Sequence, residues 1–119
     1  LTNQIIEIEG LLNIFKKTWS LSSSSLWTVD NPAKGQCGVT ALVVIDVLGG
    51  EIFKTPTPDG WHFYNKINNN YYDFTESQFP TKIEYLNKLS NREEAFTVTN
   101  ESQYSYLKQK VFHHIDKES

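Results

Sequence analysis

Between Ile5 and Trp19 the apolar residues Ile5, Ile8, Leu12, Phe15 and Trp19 return at spacings of three and four. That period sets them on one face of an amphipathic helix, and Ile6, Leu11 and Ile14 widen the stripe. The serine-rich run 20–25 breaks the pattern and reads as a loop. Leu26, Trp27 and Val29 follow, and Asp30-Asn31-Pro32 makes a turn. From Gly38 to Leu48 only Thr40 and Asp46 interrupt an apolar run. Periodicity alone does not separate a buried helix from a buried strand in such a run. Its length favours a helix, and so does its ending in Gly49-Gly50, because a helix C-terminus often needs a left-handed residue. Apolar on all sides, this helix belongs in the core.

After the glycines the pattern turns to short strands. Residues 51–55 form a first strand stopped by Pro56 and Pro58, Trp61 to Ile67 a second, and Tyr71 to Thr75 a third. Asn68-Asn69-Asn70 turns the chain between the last two, since Asn tolerates left-handed backbone angles. Phe79, Ile83, Tyr85 and Leu86 suggest a further strand or a cover loop. Ser90 to Phe96 begins a short helix with Ser90 or Asn91 as its cap. A last helix, starting near Ser102, carries Tyr104, Leu107, Val111 and Ile115. Together these elements predict an α+β fold in one compact domain over residues 1–119. The helix headed by Cys37 packs on a small antiparallel sheet, with N- and C-terminal helices around it.

Composition narrows the partners. With 39% hydrophobic and 13% aromatic residues, the 119-residue chain fills one such core. Its net charge is −3 and its basic residues are scattered. A nucleic-acid binder clusters Lys and Arg, so nucleic acid is not expected as a partner. The single cysteine excludes an internal disulfide and a four-cysteine zinc site. No apolar run reaches the roughly 18 residues that suggest a membrane span. The N-terminus lacks the basic-then-apolar pattern of a secretory signal. A chain without Met leads us to expect a natural start that is trimmed or not included, and the expected location is the cytoplasm.

The chemistry gathers around Cys37, in Gly35-Gln36-Cys37-Gly38 at the head of the buried helix. The thiolate is the nucleophile, and the open N–H groups of a helix N-terminus favour it. Those groups also stand ready to receive the oxygen of a tetrahedral intermediate. His62 falls at the start of the second strand and Asp73 in the third. If Lys66 pairs with Tyr71, His62 and Asp73 are diagonal neighbours, roughly 7–8 Å apart at their backbones and within reach of each other. A one-residue slip would set them on opposite faces. The imidazole then takes the thiol proton, and the carboxylate fixes its tautomer.

Gln36, beside the nucleophile, and Asn31, six residues before it, are equal candidates to complete the oxyanion hole. Trp61 and Tyr64 are expected in the groove wall. The scheme calls for no metal and no cofactor. His113-His114 with Asp116 does not make a metal site, because neighbouring helix residues point about 100° apart and a third ligand is lacking. Singly, each catalytic candidate has a plainer use: the cysteine as a small core residue, the histidine on a backbone carbonyl, the aspartate on turn amides. Their joint placement points to chemistry.

The chain order Cys37, His62, Asp73, with the first on a helix and the others on adjacent strands, resembles the transglutaminase-like branch of the papain-like cysteine enzymes. That resemblance implies a papain-like core, with Cys37 as nucleophile, His62 as base and Asp73 as its orienter. The spacings, 25 residues and then 11, are compact for that branch. A longer similarity covers Gly-Gln-Cys-Gly-Val-Thr-Ala-Leu-Val-Val (35–44), Gly-Gly-Glu-Ile (49–52), Gly-Trp-His-Phe-Tyr-Asn (60–65) and Tyr-Asp-Phe-Thr-Glu-Ser-Gln-Phe (72–79). These runs resemble the YunG-like family of small bacterial proteins, a resemblance that implies no particular substrate. The expected function is cysteine-dependent acyl transfer: hydrolysis, deamidation or transamidation of an amide or peptide bond. The alternative keeps the fold as a non-catalytic module that binds a peptide or small metabolite. A thiol redox sensor is a further alternative, weakened by the lack of a resolving cysteine.

Overall fold

The computed structural model describes residues 7–118, so Ile5 and Ile6 of the expected first helix lie outside the described residues. Helix α1, Ile8–Thr18, buries Leu11, Ile14 and Phe15. Leu11 and Ile14, which widened the predicted stripe, thus join Phe15 at its centre. Trp19 stacks on Phe15 and donates its indole N–H to Thr40 Oγ1 at 2.9 Å, tying the end of α1 to the next helix. Helix α2, Cys37–Leu48, buries every residue from Gly38 to Val44. Valine is a poor helix former, and tertiary packing holds this segment helical. The helix stops at Gly49, whose φ of 76° is left-handed.

Strands β1 (Glu51–Thr57), β2 (Gly60–Ile67), β3 (Asn70–Tyr72) and β4 (Lys88–Leu89) form an antiparallel sheet in the order β3-β2-β1-β4. Two boundaries differ from expectation. Pro56 does not end β1, which continues to pair as far as Thr57 opposite Gly60. β4 pairs only with Phe53 and Lys54, so no strand lies outside Pro56, where a residue without an N–H is tolerated. Second, of the three consecutive asparagines Asn68 and Asn69 take left-handed angles and Asn70 does not, making a two-residue turn. β3 therefore starts at Asn70 and ends at Tyr72, leaving Asp73 and Thr75 just beyond it. The expected pairing of Lys66 with Tyr71 is present. Of the two readings of residues 79–87, the cover loop is the one present, an irregular segment and not a strand. Thr55 pins it, its hydroxyl donating to the Glu84 carbonyl at 2.9 Å and accepting from the Leu86 N–H at 3.0 Å.

Asn91 caps α3 (Arg92–Ala95) by accepting from the Glu94 N–H at 2.8 Å. Asn100 does the same for α4 (Glu101–Glu118) through the Gln103 N–H, also at 2.8 Å. Phe63 and Ile67 of β2, Leu11 and Phe15 of α1, and Leu107 and Val111 of α4 join the valines of α2 in one apolar cluster. The architecture is α+β, and α2 is its central strut. No helix among the described residues is long and apolar enough to cross a membrane.

Candidate active site

Cys37 is the first residue of α2 and lies partly buried against the core. Its neighbours in sequence are shaped by close approach. Gly35 has a φ of 74°, and a side chain there would collide with Ser24 Oγ. At Gly38 a Cβ would stand 2.7 Å from the Ala95 carbonyl oxygen and collide with Val98. The segment after α3 thus presses directly on the head of α2. Gln36, at the N-cap position, makes no side-chain capping bond. The first-turn N–H groups around Cys37 are therefore not occupied by a side-chain cap.

His62 stands on β2 opposite Thr55 and is only 2% exposed. Its Nε2 lies 2.6 Å from Asp73 Oδ2. Asp73 is held in turn by three further donors. The Tyr85 hydroxyl donates to Oδ2 at 2.6 Å, and the Thr75 N–H and hydroxyl donate to Oδ1 at 3.1 and 3.2 Å. The Phe79 ring meets the imidazole edge to face, with centroids 4.8 Å apart. With Nε2 engaged by Asp73, Nδ1 is the nitrogen left for another partner. Cys37 and His62 line the same cavity of about 520 Å³. Leu26, Trp61 and Val98 give that cavity apolar walls, and Lys34, Asp59, Gln78 and Gln103 add polar ones.

The electrostatics bind the three groups together. Burial acts to lower the His62 pKa, but hydrogen bonds to Asp73 and Cys37, with the negative charge of both, outweigh it and push it up to about 9. The imidazole is thus held as a cation between carboxylate and sulfur at neutral pH. Burial, reinforced by Asp73, drives Tyr85 above the ordinary tyrosine range, which keeps its hydroxyl a donor to that carboxylate.

Cys37, His62 and Asp73 are brought together, and Trp61, 44% exposed, stands in the cavity wall with Lys54 Nζ 4.2 Å from its ring centroid. The remaining sequence candidates stand elsewhere. Asn31 uses its side-chain amide to donate to the Gln78 carbonyl at 3.1 Å and is not part of the wall. Gln36 is fully enclosed, with neither amide atom partnered, and is not part of the wall either. Tyr64 is a correction to the expected groove wall. It is buried beneath Tyr71 and Tyr85, donates to Asn87 Oδ1 at 2.8 Å, and borders a separate hollow beside Asp73.

Sequence reasoning missed Thr75, Gln78, Phe79 and Tyr85. For Thr75 a signal existed, since an aspartate followed two positions later by a backbone donor is a common local turn. Tyr85 left none, because an irregular segment carries it to Asp73 from twelve residues away. The rings of His113 and His114 lie 6.1 Å apart at 82°. Among the described residues no three His, Cys, Asp or Glu side chains gather as metal ligands.

Residues 7–116 match the family described as YunG protein. The chain belongs to the YunG family. A relative from Bacillus subtilis (strain 168), named uncharacterized protein YunG, is 51% identical over 109 residues, covering 92% of this chain and 95% of that protein. No solved structure matches the chain. The YunG match takes in every residue of the cavity, from Ser24 to Gln103, as well as Asp73, Thr75 and Tyr85 behind it. The site therefore lies wholly within the segment that defines membership of the YunG family.

Proposed function

We propose that this YunG-family chain is a cysteine-dependent acyl-transfer enzyme, acting on an amide or peptide bond by hydrolysis, deamidation or transamidation. The observation that carries the reading is the His62–Asp73 pair, 2.6 Å between its polar atoms, behind the cavity that Cys37 and His62 share. In this reading the Cys37 sulfur attacks the carbonyl carbon. An S–C bond forms, and the carbonyl π pair moves onto oxygen, which the first-turn N–H groups of α2 receive. His62 gives its proton to the leaving nitrogen, the C–N bond breaks, and a thioester remains on Cys37. Water or an amine, relieved of a proton by His62, attacks the thioester and frees the sulfur. Asp73 orients the imidazole and steadies its charge. Thr75 and Tyr85 act only through Asp73 and are positioning residues.

A nucleophile at the head of a buried helix, with the base on an antiparallel sheet and the orienter just past its edge strand, resembles the transglutaminase-like branch of the papain-like enzymes. That likeness supports reading the YunG architecture as a compact papain-like core. The test is activity-based probing with a library of amides and activated esters, followed by intact-mass analysis. The reading expects an acyl adduct on Cys37 in the native protein, none in Cys37→Ser, and formation at least about 100-fold slower in His62→Ala. A native protein that forms no adduct with any member, and whose thiol alkylates no faster than a free one, would instead be a module that binds its peptide or metabolite without covalent chemistry.

A further inference from the structure

We infer that Gln78 is the side-chain donor of the oxyanion hole, an assignment that rests on the acyl-transfer reading. The two residues that the sequence offered for this task are otherwise placed: the Asn31 amide is bonded to a backbone carbonyl, and Gln36 is sealed away from the cavity. Gln78 stands in the cavity wall with Cys37 and His62. It ends the short 3-10 turn Glu76–Gln78, between Asp73, which holds the His62 ring, and Phe79, which packs against it. One brief stretch of chain thus delivers the orienter, the ring support and the donor.

The backbone of Gln78 is fixed from both sides. Its N–H donates to the Thr75 carbonyl at 3.0 Å, and its carbonyl accepts from Asn31 Nδ2 at 3.1 Å. The side chain is different: its Nε2 is buried and has no hydrogen-bond partner. Native proteins leave few buried N–H groups unpaired, and those that remain call for an explanation. A half-turn of the terminal amide exchanges its nitrogen and oxygen within the same volume, so the group can turn its N–H₂ toward the cavity without repacking. A carbonyl oxygen gaining negative charge at Cys37 is the acceptor that would satisfy it. That hydrogen bond strengthens as charge develops, so it favours the transition state over the bound substrate. The Asn31 bond holds the turn from which the donor reaches.

Two reactions at the same sulfur separate this role from mere support. With p-nitrophenyl acetate the sulfur bonds to the carbonyl carbon and the oxygen takes the π pair. Collapse of that intermediate expels p-nitrophenolate and leaves acetyl-Cys37. With iodoacetamide the sulfur displaces iodide at a saturated carbon, and no oxyanion forms. In Gln78→Ala, acylation should slow about 100-fold or more, while alkylation stays within about twofold of native. Gln78→Leu, which comes near the same volume, adds no charge and lacks the donor, should show the same split. Native rates of acylation in both variants would overturn the inference. So would acylation and alkylation falling together, which would make Gln78 a support for Cys37. A native protein that is not acylated at Cys37 would overturn the acyl-transfer reading itself, and this assignment with it.

Discussion

Asp73 carries an unusual share of the order in the site, because its two oxygens receive His62, Tyr85 and both donors of Thr75. Asp73→Ala would strand a buried imidazolium and a buried hydroxyl, and should cost about 3–5 kcal/mol in urea unfolding at pH 7. Tyr85→Phe removes one hydrogen bond to the carboxylate and should cost about 1.5–3 kcal/mol in the same assay. His62 carries a pH signature. Its folded pKa is raised from 6.5 to about 9, against the effect of burial, by Asp73 and Cys37. Its contribution to stability is therefore whole below pH 6.5 and fades as pH climbs through about 9. Imidazole NMR should place the native midpoint near 9, with lower midpoints in Cys37→Ser and in Asp73→Asn, since each removes a group that raises it. A midpoint unmoved in both variants would contradict the account.

Among the elements, α2 depends on how closely its first turn is approached. Gly38→Ala forces Val98 and the Ala95 carbonyl to give way, and should cost about 1–3 kcal/mol while slowing alkylation of Cys37. Gly10→Ala is the control. Nothing lies within 4 Å of its would-be Cβ, and the change should stabilise α1 by up to about 1 kcal/mol in thermal melts. The elements that were legible had strong local punctuation. Gly49 marked the end of α2, and the asparagines set the Lys66–Tyr71 register that lets His62 reach Asp73. Pro56 misled because its effect depends on whether a neighbouring strand needs its N–H, and none flanks it on the outer side. The end of β3 at Tyr72 was hidden for a related reason: Asp73 trades ladder bonding for its own turn with Thr75.

At the scale of the molecule, the cavity is a seam where stretches around residues 24–37, 57–62, 78–79 and 98–103 meet. The convergence of Cys37, His62 and Asp73 could be read in advance because closing glycines marked the helix that Cys37 heads, and the asparagine turn set the register that brings His62 near Asp73. Gln78 and Tyr85 could not, since a long-range bond from Asn31 holds the turn that carries Gln78, and long-range bonds with Thr55 and Asp73 set the path of residues 79–87. All of these parts matter only if they make the sulfur reactive. The direct measurement is the rate of Cys37 alkylation by iodoacetamide at pH 6, for the native protein and for His62→Ala, against glutathione as a free thiol. The native rate should be about tenfold or more above that of glutathione, falling to the free-thiol rate in His62→Ala. A native Cys37 that reacts no faster than glutathione, or one indifferent to the loss of His62, would contradict the acyl-transfer reading.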